Sequence, residues 1–365
     1  MFGLETKAQE WHRDLTTLCA FFLSSAVFRR CGLAILKRSL HIALAVLLIF
    51  SYSTTAQQQT QDVPSAKTII AHRGASAYAP ENTLPAFRLA FEMGADFIEY
   101  DVQVTKDKQL VILHDQTLER TTNVEEIFPA RSRIAAGDKS EKKHWYVYDF
   151  TLAEIKKLDA GSWAGAKFRG TSVPTFRETL DFARGRAGHL IELKVPDEYN
   201  ARGVDMERLT LAELKRYYRA TPKSQKGSPI IIQSFSARSL QKIAAELKSP
   251  LPLHLLTTAD DKPGWLTREG LAKVKSFCVG ISPHRESVIR NPDIITWAHE
   301  LGLQVTPYTF TTIKSQEPQL LRAEMLRFLY TLKADGVITD NPDLAVEART
   351  KSVSMLIAPS PSFRL

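Results

Sequence analysis

From Lys67 onward, short β-branched runs alternate with longer stretches of helical periodicity, and this alternation constrains the fold more than any other feature of the chain. Candidate strands are 68–72, 97–104, 190–195, 230–235, 252–256, 277–282, 304–310 and 336–339, each apolar and bounded by turn residues or charge. Between them, helical patterns run over 84–93, 176–184, 237–247 and 294–301, the last ending at Gly302. Eight strands with intervening helices in roughly 280 residues meet the requirement of an α/β (β/α)8 TIM barrel. A doubly wound sheet is the runner-up. The stretch 124–148 is polar, charged and without periodicity, so it is expected as a small insertion after the second strand region, lying over the barrel mouth. The barrel domain is expected over 67–348, with 349–365 as a C-terminal tail.

In such barrels chemistry gathers at the C-terminal ends of the strands. Here His72 closes the first candidate strand, Glu99 and Asp101 lie late in the second, and Glu192 and Lys194 end the third. Side chains two apart on a strand share a face, so Glu99 pairs with Asp101 and Glu192 with Lys194. Three carboxylates converging from two strands repel one another unless a cation neutralises them. An all-oxygen donor set favours Mg²⁺ or Ca²⁺ over zinc. With His72, Arg73 and His114-Asp115 close by in the sequence, the inventory suits metal-assisted attack on a phosphate ester.

The 365 residues are 44% hydrophobic and 24% charged, which excludes disorder as the default. The formal charge is +8, but residues 1–56 hold six Lys/Arg against three Asp/Glu, and removing that excess of three leaves +5. No compact basic block interleaved with aromatics appears, so no nucleic-acid partner is expected. Lys37-Arg38, the apolar run 40–50 and the small residues of 51–56 follow the three regions of a secretory signal, giving a targeting segment over 1–56 and a linker over 57–66. A second apolar patch, 18–28, ends at Arg29-Arg30, which raises the alternative of a misassigned start codon. An exported bacterial protein, periplasmic or secreted, is expected, with an uncleaved leader as membrane anchor the alternative. Cys19 and Cys31 fall in the leader, leaving Cys278 alone and expected in the core.

A set of ordered motifs carries a resemblance. His72-Arg73-Gly74-Ala75, Pro80-Glu81-Asn82-Thr83, Glu99-x-Asp101-Val102, Thr105-x-Asp107, His114-Asp115, Leu118-x-Arg120-Thr121-Thr122, Pro174-Thr175, Glu192-x-Lys194 and Asp335-Gly336-Val337-x-Thr339-Asp340 resemble the glycerophosphodiester phosphodiesterase family. The match covers nearly all of the chain after the leader. It implies a TIM barrel that hydrolyses glycerophosphodiesters to sn-glycerol 3-phosphate and an alcohol with one divalent cation. It further implies Glu99, Asp101 and Glu192 as metal ligands, His72 and His114 as the acid/base pair, Arg73 on a non-bridging phosphate oxygen and Lys194 adding positive charge beside it.

Where many members carry a Trp against the glycerol end, Tyr308 stands in this chain, and Phe235 is a second candidate wall. Lys108 occupies a turn position where the family often has Gly. Glu81 and Asn82 are expected to cap the first helix and brace its loop. The aromatic residues His144, Trp145, Tyr146 and Tyr148 either shape the alcohol side of the pocket or pack the insertion down. The expected partner is a small-molecule phosphodiester, with membrane contact only through the leader or a lysolipid substrate; the oligomeric state is not legible. Two alternatives are lysophospholipase D-type activity on lysophospholipids and a non-catalytic exported binding protein. The acid/base pair around a metal argues against the second.

Overall fold

The computed structural model describes residues 67–134, 142–220, 228–312 and 317–357, with no side chains described for 351–357. The expected targeting segment and linker lie outside the described residues. Eight parallel strands make the barrel: β1 (Thr68–Ala71), β2 (Phe97–Val104), β4 (Gly188–Leu193), β5 (Ile230–Ser234), β6 (Leu253–Thr257), β7 (Gly280–Pro283), β8 (Gln304–Val305) and β9 (Gly336–Thr339). They pair in the order β8-β7-β6-β5-β4-β2-β1-β9, and β3 (Leu110–Ile112) pairs antiparallel with β2. Backbone bonds close the ring between the two ends: Asp335 N to Val305 O at 2.9 Å, Ile338 N to Pro307 O at 3.0 Å, and Phe310 N to Ile338 O at 3.0 Å.

Alternation along β2 divides the barrel into an inside and an outside. Ile98, Tyr100 and Val102 belong to the main apolar cluster, shared with Phe87 of the helix Leu84–Glu92 and Phe176 of the helix Phe176–Ala183. Phe97 instead packs inward with Ile70, Leu190, Ile231 and Ile338, so Glu99 and Asp101 point inward too. Tyr100 lies with its ring centroid 5.9 Å from Phe87 and 6.2 Å from Phe176. Burying each such aromatic side chain contributes about 2–3 kcal/mol. Thr175 and Glu178 form a capping box that fixes where the helix Phe176–Ala183 starts. Cys278 is buried in the main cluster, as expected.

The alternation read from the sequence is the architecture found, and three of the expected elements differ in their bounds or form. The seventh expected strand, 304–310, is regular only over Gln304–Val305. Pro307 has no N–H to give, so the ladder continues as isolated pairs, His284 with Tyr308 and Phe310 with Thr339. The expected strand 190–195 starts earlier and ends at Leu193, because Val195 takes a left-handed φ of 43° and Pro196 opens a helix. The expected helix 237–247 is α-helical over Ala237–Gln241 and finishes in a π turn over Lys242–Glu246. β3 and the long helix Met206–Ala220 were not among the elements read from the sequence. The last helix, Pro342–Ile357, runs through the expected tail boundary.

The polar stretch 124–148 is the middle of a longer excursion. Lys108, at φ 61°, turns the chain from β2 into β3, where a glycine would sit without strain. After β3 a second small core forms from Leu113, Leu118, Val124, Trp145, Val147, Phe150, Ile155, Leu158 and Val173. The apolar residues that hold this layer lie at the two ends of the stretch 124–148 and on both sides of it.

The interior of the barrel is polar toward β6–β8. His254 is 1% exposed, and a Cβ on Gly280 would lie 2.5 Å from its Nε2, so the glycine makes room for the ring. Burial pushes His254 down to about 4, against smaller opposing effects of Gln304 and Asp335, and burial alone does the same to His189. Both rings are therefore neutral in the fold at pH 7, while the unfolded chain takes up protons below its ordinary pKa of about 6.5. A depressed folded pKa means stability present at neutral pH is lost as pH falls from about 6.5 toward 4. The urea-derived unfolding free energy is expected to drop about 1.5 kcal/mol per buried histidine between pH 6.5 and 5, with His254→Gln losing about 1.5 kcal/mol less than the wild type over that window. Identical pH slopes in the two proteins would contradict it.

Candidate functional site

Strand register builds the site. Asp101 on β2 lies opposite Glu192 on β4, Glu192 opposite Gln233 on β5, and Gln233 opposite His254 on β6, so these side chains line one layer of the barrel interior. Glu99 stands two residues below Asp101 on the same face. One carboxylate oxygen from each of Glu99, Asp101 and Glu192 lies within 4.8 Å of the others, the one such acidic trio among the described residues. All three residues are buried, Glu99 and Asp101 fully.

Their surroundings treat the three carboxylates differently. Burial pushes Glu99 well above the usual carboxylate range, and the charges of Asp101 and Glu192 add to it. Burial also raises Glu192, to about 7, with Lys194 opposing and Asp101 reinforcing the rise. For Asp101 burial is outweighed: Lys194, Arg73, His114 and a hydrogen bond from Asn82 hold it well below its ordinary value. Lys194 Nζ is 2.7 Å from Glu192 Oε1 and 3.7 Å from Asp101 Oδ1, and Arg73 Nε is 3.3 Å from Asp101 Oδ2.

Asp101 Oδ1 is buried and accepts no hydrogen bond in this arrangement, and Glu192 Oε1, also buried, meets only Lys194 Nζ at 2.7 Å. An orphaned buried carboxylate oxygen in a compact all-oxygen trio fits a hard divalent cation, and Glu99, Asp101 and Glu192 are the residues that would hold it.

The loop after β1 braces this cluster. Arg73 adopts a left-handed φ of 56°, which turns its backbone N–H to Glu99 Oε2 at 2.9 Å. Asn82, at φ 58°, donates from its amide to Asp101 Oδ2 at 2.8 Å and accepts from the Asp101 backbone N–H at 3.2 Å. Glu81 does not cap the helix as expected. It pairs with Arg73 at 3.0 Å and takes two bonds from Arg120 at 2.8 and 2.9 Å, while Thr83 at the N-cap makes no side-chain cap bond. Opposite charge outranks capping here: two guanidinium groups are stronger partners for a largely buried carboxylate than helix amides are.

Each histidine is held by a carboxylate. His72 Nδ1 donates to Asp340 Oδ1 at 2.6 Å, and Ser76 adds a hydroxyl bond to the same oxygen at 2.8 Å. His114 Nδ1 donates to Asp115 Oδ1 at 2.6 Å. Burial acts to raise both aspartates, but His72 outweighs it at Asp340, and His114 and Arg120 outweigh it at Asp115; both stay ionised and can only accept. That fixes the tautomer and leaves each Nε2 free for chemistry. His114 follows β3, its carbonyl oxygen accepting from Gln103 of β2 at 3.0 Å, which sets it beside the upper end of the strand that carries Asp101.

Phe235 and Tyr308 stand together, ring centroids 6.0 Å apart and edge to face, with Lys194 Nζ 5.8 Å from the Phe235 ring. Tyr308 O–H is tied to the Thr257 carbonyl at 2.9 Å, and His284 packs edge-on against the same ring. Of the aromatics in the insertion, Trp145 is buried and bonds the Phe128 carbonyl, while Tyr148 packs against Tyr199 and Arg202. They pack the insertion down.

A (β/α)8 barrel whose interior brings together three carboxylates, a guanidinium, an ammonium and carboxylate-tethered histidines has the constitution of a phosphoric ester hydrolase. Residues 72–344 match the family model described as the Glycerophosphoryl diester phosphodiesterase family. A glycerophosphodiester phosphodiesterase of Bacillus subtilis (strain 168) is 36% identical over 283 residues, covering 75% of this chain and 84% of that protein. One of Caldanaerobacter subterraneus subsp. tengcongensis is 32% identical, covering 76% and 96%. Among solved structures, an Oleispira antarctica phosphodiesterase in complex with the product sn-glycerol-3-phosphate superposes with TM-score 0.56 at 25% identity, covering 77% of this chain and 96% of that one. The chain belongs to the glycerophosphodiester phosphodiesterase family.

The carboxylate trio makes a stability prediction of its own. Glu99→Gln removes one of three converging negative charges at nearly constant shape. In chelator at pH 8 the unfolding free energy of this variant is expected to exceed that of the wild type by about 1–2 kcal/mol. A loss of stability would mean that the repulsion is relieved in some other way.

Proposed function

We propose that this chain hydrolyses glycerophosphodiesters to sn-glycerol 3-phosphate and an alcohol at the C-terminal mouth of its barrel, with His72 and His114 as acid/base pair. The observation that carries this reading is the convergence of Glu99, Asp101 and Glu192 with Arg73 and Lys194, beside two histidines whose Nδ1 atoms are already committed. Glu99, Asp101 and Glu192 would hold one divalent cation, Mg²⁺ or Ca²⁺, which when bound supplies Lewis-acid polarisation of a phosphoryl oxygen.

The protein's own groups supply the rest. Arg73 and Lys194 face the developing negative charge on the phosphoryl oxygens and stabilise it more than the ground state. One histidine takes a proton from the attacking group, water or the neighbouring glycerol hydroxyl, through its free Nε2, and the other delivers a proton from Nε2 to the leaving alkoxide; a cyclic phosphate formed by the hydroxyl is then opened by water with the proton roles reversed. Asp340 and Asp115 keep each ring turned for that exchange and stabilise its charged form. Phe235 and Tyr308 supply an apolar wall against the substrate's carbon skeleton and shed water from that side. The basic, apolar and small-residue regions of the leader support export, to the periplasm or medium, as the setting.

The test is release of sn-glycerol 3-phosphate from glycerophosphocholine and glycerophosphoethanolamine. Turnover is expected to vanish on chelation and return with Mg²⁺ or Ca²⁺, and His72→Ala and His114→Ala are each expected to lower kcat by about 10²–10⁴. Turnover that survives chelation, or that ignores both substitutions, would remove this assignment.

A further inference from the structure

We propose that Arg120 is a positioning residue for the reaction, the joint that holds His114 and Arg73 in one fixed relation; the inference rests on the function proposed above. Arg120 lies beyond β3, on the stretch leading into the insertion, yet all the side-chain bonds recorded for it go to groups that hold the site. Its Nε donates to Asp115 Oδ2, and the other oxygen of Asp115 holds His114 at 2.6 Å. Its two terminal nitrogens donate to the two oxygens of Glu81, and Glu81 Oε1 also accepts from Arg73 at 3.0 Å. Arg73 in turn reaches Asp101 at 3.3 Å. Five side chains of alternating character thus run from His114 through Asp115, Arg120 and Glu81 to Arg73.

Arg120 is 45% exposed, and an exposed ion pair ordinarily contributes little. What sets this one apart is the use of a planar fork on two carboxylates at once, which an ammonium cannot reproduce. Its removal has two consequences. Asp115 and Glu81 are left as like charges with no cation between them, and Asp115 loses one of the two partners that fix the face it presents to His114. Glu81, released on one side, can close on Arg73 with both oxygens and occupy the donors that would meet the phosphate. Arg120 therefore keeps Arg73 available as well as keeping His114 in place.

The experiment uses the full-length chain with Arg120→Met, Arg120→Lys and His114→Ala. In the proton NMR spectrum the carboxylate-bound Nδ1–H signals of His72 and His114 appear far downfield, each assigned by its loss in the corresponding alanine variant. In Arg120→Met the His114 signal is expected to broaden away or move upfield while that of His72 stays. On glycerophosphocholine with divalent cation, kcat/KM is expected to fall about 30-fold in Arg120→Met and about 5-fold in Arg120→Lys. The methionine substitution is expected to cost under about 5-fold in a His114→Ala background, with unchanged urea midpoints. An unmoved His114 signal in Arg120→Met, or an equal loss in both backgrounds, would overturn the proposal. If the wild type turns over no glycerophosphodiester, the functional reading fails, and the spectrum still decides whether Arg120 positions His114.

Discussion

The cluster inside this barrel answers to one electrostatic problem: three buried carboxylates whose oxygens lie within 4.8 Å of one another. At an effective dielectric near 20, two unit charges at that separation repel by roughly 3–4 kcal/mol. Arg73 and Lys194 bring two positive charges against three negative ones, so the cluster is left one negative charge over. A divalent cation held there would turn that deficit into one positive charge. The same count explains why Glu99 and Glu192 are pushed up while Asp101, within 4 Å of both cations and bonded to Asn82, is held down.

The fold meets this demand through backbone geometry as much as through side chains. β2 and β4 are registered so that Asp101 faces Glu192, and the loop after β1 accepts left-handed conformations at Arg73 and Asn82 in order to aim an N–H at Glu99 and an amide at Asp101. Such conformations cost free energy at residues other than glycine, and the bonds they make to the carboxylates offset the cost. Beyond β4, Val195 holds a left-handed φ of 43° immediately after Lys194, so both segments that supply a cation to the cluster carry local strain. Rigid placement of the cluster is thus built into the loops where the strands end.

The parts of this arrangement that were legible in the sequence are those governed by local periodicity. Alternation along 97–104 put Glu99 and Asp101 on one face, and the repeated strand–helix pattern implied a barrel whose strand ends gather them with Glu192, His72 and Lys194. What escaped was decided over long separations or by single residues. Asp340 meets His72 across 268 positions, and nothing local marks it as more than a strand-end aspartate. Glu81 reads as a helix-start residue until Arg120 arrives from 39 positions away. β3 is three residues long, too short to show a period, and the ladder of β8 is interrupted by Pro307. The ordered motifs did contain Asn82, Asp115, Arg120 and Asp340, but their roles follow from contacts that only the folded chain makes.

The central claim is that Glu99, Asp101 and Glu192 form one cation site. Calorimetric titration of the chelator-stripped chain with Mn²⁺, paired with anomalous diffraction from Mn²⁺-soaked crystals, tests it without reference to activity. The account predicts one ion per chain, with anomalous density between these three carboxylates, and binding lost in Asp101→Asn. No binding, or binding undiminished by that substitution, would contradict it.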